Sequence, residues 1–252
     1  MRDAHADQAT GLRALFARRT RTTMSVAGDG ATEVTLNLAA ALARIGQQVL
    51  VNDTMKGEAA NALGLKARYE LAHVLAGDRA LRDVLLAGPE GVALLPATRG
   101  LPRLVEGSGP WQDRLGAWLD PYGTAFNVWL VNGLPPGGSV TGAPVLFVLA
   151  PTADALTAAY AQMKELARHA RHREFRIVVR RARSETAALA TYRNVADTAR
   201  EFLSARLDYC GYIPRGDSSA LADVRSPCGH AFARLAESLL AGQAGLTNAA
   251  AA

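Results

Sequence analysis

One glycine-bearing segment of the chain has the residue types of a phosphate-binding turn but lacks the basic residue that such a turn uses. Gly28 and Gly30 lie between an apolar run and an alanine- and leucine-rich helical pattern, and Thr32 follows them. A glycine turn between a strand and a helix offers backbone N–H groups to anions, and the helix dipole adds to their attraction. Asp29 and Glu33 place carboxylates at this spot, where they would repel a polyphosphate. The pattern therefore indicates the scaffold of a nucleotide site without its chemistry.

Apolar runs and helical patterns alternate along most of the chain. Strands are expected at 23–26, 49–52, 92–95, 126–131, 144–150, 175–179 and 208–213. Helices are expected at 33–45, 59–63, 71–75, 81–86, 111–119, 153–168, 187–203 and 229–240. Helices between successive strands imply right-handed crossovers. We therefore predict an α/β fold, a doubly wound and mainly parallel sheet over residues 23–240, with an N-terminal helical arm at 1–22 and a flexible tail at 241–252.

The bulk composition is that of an ordinary globular protein. The 252 residues are 49% hydrophobic and 20% charged, with a formal net charge of +5. Cys210 and Cys228 are far apart and lack the spacing of metal ligands, so we expect neither a disulfide framework nor a metal site. The N-terminus lacks the apolar segment of a secretory signal, and no apolar run reaches the roughly 18 residues that span a bilayer. We therefore expect a cytoplasmic protein.

A basic stretch at 168–183 concentrates positive charge. It holds seven arginines and two histidines against a single glutamate. Such a stretch could contact nucleic acid, lipid headgroups or an acidic protein, or it could be a solvated helix face that leads into a strand.

The N-terminal arm has a short amphipathic pattern. Ala9, Leu12, Leu15 and Phe16 fall on one face at helical spacing within residues 7–17. A basic, turn-prone link separates this helix from the first strand. Two interpretations stay open: the helix inserts into a groove of a partner protein, or it packs on its own domain.

Residues 24–53 resemble the MinD/ParA class of deviant P-loop ATPases. An Asn-Leu-Ala run at 37–39 anchors an alignment that needs no gap. The resemblance then places four residues on family site residues, namely two loop glycines, the magnesium-binding threonine and the strand-end aspartate. These residues are Gly28, Gly30, Thr32 and Asp53. Asp53 is either a vestigial ligand or the cap of the next element.

A narrower resemblance covers most of residues 7–227. The segment Asp7-Gln8-Ala9-Thr10-Gly11-Leu12-Arg13 is similar to the arm of the FlhG/FleN family of flagellar-number regulators. In that family the arm reaches the signal-recognition-type GTPase FlhF and stimulates its hydrolysis. Further similar segments follow in the family's order at 69–77, 91–97, 159–160, 164, 207–209, 211 and 213–214. The resemblance implies that the arm binds its partner through Asp7, Gln8, Ala9, Leu12, Arg13, Leu15 and Phe16.

The departures from the family concentrate on its chemistry. Val26 and Ala31 fall where the family has its signature lysine and its loop lysine. Met55 falls where an aspartate orients the attacking water, and Asn132 where an aspartate supports magnesium. Arg180 falls near the asparagine that reads the adenine edge. Phosphoryl transfer depends on positioning and electrostatic stabilisation, so the joint loss of these groups predicts no useful ATP hydrolysis.

We therefore expect a catalytically dead MinD/ParA-like regulator of flagellar number or placement, with no catalytic residue. We expect no cofactor; ATP with Mg²⁺ is the candidate that the glycine turn leaves open, and the lost lysine argues against it. The expected partner is the FlhF-type GTPase, with flagellar basal-body proteins or a flagellar transcription activator as further candidates. The last predicted helix is only mildly amphipathic, so we expect membrane contact to be weak or absent, and we expect no nucleic acid.

Two alternative functions stay open. The first is an ATP-binding MinD-like switch that dimerises at the membrane. The second is a DNA- or lipid-binding adaptor that uses the basic stretch at 168–183, and its binding would weaken steeply with salt.

Overall fold

The computed structural model describes residues 21–119, 126–135, 144–169, 172–216 and 221–249. The partner-binding residues predicted in the arm lie outside these ranges. The strands are β1 (Thr22–Gly28), β2 (Val49–Asp53), β3 (Leu86–Ala87), β4 (Ala93–Pro96), β5 (Val128–Asn132), β6 (Val145–Leu149), β7 (Glu174–Ala182) and β8 (Arg206–Pro214). The α-helices are α1 (Ala31–Arg44), α2 (Glu58–Ala62), α3 (Leu71–Leu75), α4 (Gly100–Glu106), α5 (Trp111–Leu119), α6 (Ala153–His169), α7 (Glu185–Leu203) and α8 (Pro227–Ala249).

The strands form one twisted sheet with the order β3-β4-β2-β5-β1-β6-β7-β8. Every neighbouring pair is parallel except β3 with β4, which is antiparallel. Helices connect most of the parallel strands, as crossover connections require. The structure therefore confirms the predicted doubly wound, mainly parallel α/β fold.

Helices cover both faces of the sheet. On one face α1, α2 and α8 enclose a core with the inward side chains of the central strands. On the other face α6 and α7 cover β6, β7 and β8. Beside them α3, α4 and α5 cover β2, β4 and β5. Because both faces are covered, the central strands read as continuous apolar runs rather than as alternating patterns.

Helix α1 begins directly after the glycine turn and is buried over most of its length. Its alanines and leucines favour a helix and fill the core at the same time. The turn itself requires glycine at its first position. Gly28 has φ +101°, and a Cβ built on it would lie 2.3 Å from the backbone oxygen of Val148. A side chain is therefore excluded both by conformation and by the neighbouring strand.

Two short elements differ from the sequence-based expectation. The helix predicted at 81–86 is wrong, because the chain forms a single 3₁₀ turn at Leu81–Asp83 and then strand β3. One turn already buries Leu81 in the core, and Gly88 follows β3 and leads into a second 3₁₀ turn. Helix α4 was not predicted, since Gly100 resembles a breaker. A Cβ on Gly100 would lie 2.5 Å from Cβ of Leu71, so this glycine permits close packing of two helices.

The C-terminal helix is longer than expected. Helix α8 continues to Ala249, although the pattern predicted its end at residue 240 and a tail beyond it. The alanine-rich composition of this segment explains the extension, because alanine has the highest helix propensity. Across the described ranges, no helix is both long enough and apolar enough to cross a membrane.

Candidate functional site

The site lies where the parallel strands end, at the edge of the sheet where such folds bind ligands. The ends of β1, β2 and β5 are in register there, with Asn132 opposite both Val26 and Asp53. The glycine turn follows β1 on the same edge. Strand β7 brings Arg180 to this edge from the other half of the sheet.

Arg180 closes the turn with two ion pairs. Its Nη1 donates to Oδ2 of Asp29 at 2.8 Å, and its Nη2 donates to Oε2 of Glu33. The Arg180 side chain is only 5% exposed, whereas those of Asp29 and Glu33 are 43% and 31% exposed. A Cβ built on Gly30 would lie 2.2 Å from Nη1, so the guanidinium rests directly against the turn. We call this group of Asp29, Glu33 and Arg180 the arginine clamp.

An irregularity of β7 aims Arg180 at the turn. The register between β7 and β8 shifts between Arg180 and Ala182. Arg181, between them, has φ +55°, a left-handed conformation that is uncommon outside glycine. Bulges of this kind redirect a side chain beside functional sites. The clamp therefore depends on local backbone geometry as well as on charge.

Asn132 organises a second group of polar side chains at the same edge. The residue is fully buried. Its Nδ2 donates to Oγ1 of Thr32 and to Oδ1 of Asp53, each at 3.1 Å. Its Oδ1 accepts from Oγ1 of Thr35 at 3.4 Å. The amide thus satisfies a carboxylate and two hydroxyls, which a second carboxylate at this position could not do without a cation.

Asp53 and Thr32, the two predicted site residues that carry polar side chains, also form hydrogen bonds within the protein. Oδ1 of Asp53 accepts from the backbone N–H of Met55 at 3.1 Å, and its Oδ2 accepts from that of Ala59 at 3.0 Å. These bonds order the loop after β2 and the first turn of α2. The hydroxyl of Thr32 donates to Oε2 of Glu58 at 2.8 Å. Both side chains are therefore engaged in holding the fold together.

The space beside the clamp is small. A cavity of about 10 Å³ is lined by Glu33, Asn37, Arg180, Arg181, Ile213, Pro214, Gly216, Ala222, Cys228 and Phe232. That volume is about the room of one water molecule, whereas ligand pockets measure roughly 300–1,000 Å³. Ala31, at the position of the family's loop lysine, is buried and apolar. The described side chains of the turn therefore offer a phosphate no lysine, and Asp29 and Glu33 add two carboxylates beside it.

Sequence reasoning left Asp29 and Glu33 without partners and so missed the clamp. In the sequence Arg180 stands out only as one arginine of the basic stretch at 168–183 and as a departure from the adenine-reading asparagine. A signal was nevertheless present. Compared with the family, Asp29 and Glu33 add two negative charges and Arg180 adds one positive charge, all at positions of a nucleotide site. Considered together, these opposite charges indicate an ion pair within the chain.

The basic stretch at 168–183 does not form one surface. Arg168 and Arg173 lie at the edge where the parallel strands begin, and Arg181 lies near the other end of β7. A strand of 9 residues separates these ends by about 25–30 Å. Arg180, between them, is buried in the clamp.

The first of these ends borders an open groove of about 830 Å³, which we call the basic groove. Its lining consists of Lys164, Ala167, Arg168, Arg173, Phe202 and Leu203. Phe202 is 67% exposed, which is unusual for a large apolar side chain. In the described part of the chain, no carboxylate forms an ion pair with the three cations of this lining.

Comparisons of the sequence and of the fold with known proteins show the family to which the chain belongs. No family model matches the chain. The chain is 33% identical over 200 residues to the antiactivator FleN of Pseudomonas aeruginosa, covering 76% of this chain and 71% of that protein. A shorter match, 41% over 73 residues, joins 28% of the chain to 28% of an uncharacterised ATP-binding protein of Methanocaldococcus jannaschii.

Solved structures agree on the fold. The MinD of a MinC–MinD complex from Aquifex aeolicus superposes with a TM-score of 0.65 at 21% identity, over 87% of this chain and 96% of that one. A plasmid partition protein of Borrelia burgdorferi bound to AMPPNP gives 0.61 at 12% identity, over 88% and 99%. Identity of one third across three quarters of the sequence, on a MinD-type sheet, means that the chain belongs to the FlhG/FleN family of flagellar-number regulators.

Proposed function

We propose that this protein regulates flagellar number or placement without hydrolysing ATP. The observation that carries the second half of the proposal is the arginine clamp, because Arg180 rests against Gly30 and pairs with both carboxylates of the turn from which a phosphate would be held. The family supports the first half. Its member in Pseudomonas aeruginosa is an antiactivator, which implies a transcription activator as one partner.

Loss of catalysis follows from the number of groups that are replaced. Removing one preorganised donor from such a site costs about 2.7–4 kcal/mol of transition-state stabilisation. Ala31, Met55 and Asn132 stand where three such groups are expected. The clamp adds carboxylates that repel the phosphates. Together these losses remove the means of positioning the phosphates, the metal and the attacking water.

The regulatory activity of the protein lies in its arm rather than in ATP hydrolysis by the domain. We propose that residues 1–20 bind the FlhF-type GTPase and raise its rate of GTP hydrolysis. Leu12, Leu15 and Phe16 would anchor an amphipathic helix in a groove of the partner, and Gln8 or Arg13 would reach its nucleotide site.

The described chain begins at Arg21, far from the clamp. Arg21 packs its guanidinium 4.2 Å from the centre of the Trp129 ring, at the edge where β1 begins. A Cβ on Gly116 would lie 2.5 Å from Nη1 of Arg21, so α5 also contacts this side chain. The clamp lies at the other end of β1, about 20 Å away for a strand of 7 residues. Residue 21, the first described residue, therefore enters the sheet at the edge opposite to the clamp.

The domain also offers a surface for other partners. The basic groove combines the exposed ring of Phe202 with three cations that form no ion pair with any described carboxylate. This chemistry suits an acidic segment that carries an apolar anchor, such as a motif of a basal-body protein. The division of the basic stretch between two ends of β7 argues against a continuous track for DNA or lipid.

The test measures GTP turnover by the cognate FlhF-type GTPase with the full chain, and separately with a peptide of residues 1–20. We expect both to stimulate turnover, and Arg13→Ala in either one to lose most of the stimulation, because one preorganised donor that acts in the transition state contributes about 10²–10³-fold. Arg2→Ala serves as a matched control, because Arg2 lies outside the arm motif. Equal stimulation by the wild-type and Arg13→Ala proteins would leave Gln8 as the group that reaches the nucleotide site, whereas no stimulation by either the full chain or the peptide would refute this role of the arm.

The nucleotide alternative has its own measurement. Calorimetric titration of the full chain with ATP and Mg²⁺ is expected to give no heat of binding in the micromolar range. A tight complex would instead favour the ATP-dependent switch.

A further inference from the structure

We infer that the arginine clamp takes over, inside the chain, the structural role of a bound nucleotide, so that the phosphate-binding turn is closed permanently and the domain does not switch. This inference deepens the proposed function, on which it rests for its biological meaning. It concerns how the domain holds its shape, and its evidence is independent of what the arm does.

The clamp joins parts of the chain that are remote in sequence. Asp29 belongs to the turn and Glu33 to the first turn of α1, while Arg180 ends the regular part of β7, 151 residues beyond Asp29. In a nucleotide-dependent protein the ligand would have to bridge these elements. Here two charge-assisted bonds bridge them without a ligand.

Opening the clamp is costly because of where its charges lie. The Arg180 guanidinium is buried, and separation from both carboxylates would leave it unpaired away from water. A buried charge without a partner is strongly destabilising. An incoming polyphosphate would also have to displace Asp29 and Glu33 from the turn. Its apparent affinity would fall in proportion to the rarity of the open state.

Three further features fit a site that is built to remain closed. Gly30 has no Cβ, which lets the guanidinium rest on the turn. Arg181 holds a left-handed conformation, and strain of this kind persists only where the surroundings enforce it. Ile213 and Phe232 help to line the neighbouring space, which has room for about one water molecule. Charge, backbone conformation and packing thus act together to hold the clamp closed.

The consequence is a regulator whose state does not depend on ATP. The turn and the start of α1 are ordered by the chain itself. The output of the arm is then set by the amount of protein rather than by bound nucleotide.

The test is thermal unfolding of the full chain in a set of variants. Arg180→Met keeps the volume and removes the buried charge, and we expect Tm to fall by about 5 °C because Asp29 and Glu33, which are partly exposed, repel each other once their shared partner is gone. In an Asp29→Asn, Glu33→Gln background Arg180 is left buried without a charged partner, so the same substitution should leave Tm unchanged or raise it. Arg176→Met is the matched control. Arg176 lies on the same strand and is half-buried, and its Nη1 has no hydrogen-bond partner among the described residues, so its effect should be equal in both backgrounds.

Two outcomes would overturn the clamp. One is an equal loss of Tm from Arg180→Met with and without the neutralised carboxylates. The other is a rise in Tm of the wild-type protein by more than about 2 °C with millimolar ATP and Mg²⁺, whether or not ATP is hydrolysed. Failure of the arm is separate from both, because a protein that does not stimulate the GTPase would still show the coupling between Arg180 and its two carboxylates.

Discussion

Substitution of Gly28 by alanine is expected to lower the stability of the domain by about 4 kcal/mol, or Tm by about 10 °C. Two costs combine at this position. Gly28 has φ +101°, which an alanine adopts only with strain, and its new Cβ would lie 2.3 Å from the backbone oxygen of Val148. That oxygen belongs to the central strand β6 and cannot move aside as a side chain can. Urea or thermal unfolding of the purified variant measures the loss.

Gly46→Ala is the matched control for this prediction. Gly46 has φ +84°, but no atom lies within 4 Å of its built Cβ. It therefore carries the conformational cost alone, about 1 kcal/mol. Equal losses from the two variants would mean that the contact with Val148 contributes nothing, and that the turn is less tightly packed against β6 than the structure indicates.

The comparison of Gly28→Ala with Gly46→Ala measures the structural role of the glycine turn in this protein. If its glycines served only a ligand, their replacement would change binding and leave the fold intact. A large loss from Gly28→Ala without any nucleotide would instead assign the turn to the packing of β1 against β6. Retention of the glycines after loss of the lysine then needs no remaining ATP chemistry to explain it.

The sheet could be predicted from sequence because its covering helices impose a readable pattern. Strands such as β5 and β6 are buried on both faces, so they appear as unbroken apolar runs between helical periods. Strand β3 could not be predicted in this way. Its two residues carry no periodicity, and their pairing with β4 depends on a turn that only the packed core selects.

The candidate site could be predicted only in outline. Local motif order identified the turn, and the resemblance identified which groups are missing. The clamp was not predictable from local patterns, because the pairing of Arg180 with Asp29 crosses 151 residues and depends on the bulge at Arg181. The partners of Asn132 likewise come from separate elements, α1 and the end of β2. Long-range charge pairing is set by tertiary geometry, which periodicity does not encode.

Restoring the family's aspartate at position 132 should harm the protein rather than repair it. In Asn132→Asp a carboxylate replaces the amide that donates to Oδ1 of Asp53 at 3.1 Å. Two like charges would then face each other in a fully buried place, with no cation of the described residues bonded to either of them. We expect a loss of about 3 kcal/mol at pH 8, the lower end of the cost of an uncompensated buried charge.

The loss should depend on pH in a direction that identifies its cause. Burial and the neighbouring carboxylate raise the pKa of the introduced carboxyl in the folded state above its unfolded value. Below the unfolded value, near pH 4, both states hold the proton and the charge penalty vanishes. As the pH rises, the unfolded state releases the proton first, so destabilisation grows until the folded pKa is passed.

The measurement is the difference in Tm between variant and wild type from pH 5 to pH 8. Asn132→Ala is the control, since it removes the same hydrogen bonds and adds no charge, and its difference from wild type should stay constant over this range. A pH-independent loss in Asn132→Asp would mean that the cluster accommodates a second carboxylate. The position would then keep the electrostatics of a metal-supporting site, and the amide would be a neutral replacement. A loss that grows with pH would instead mean that the amide at 132 is required by the closed site, because it pairs with Asp53 where the family would need a bound cation.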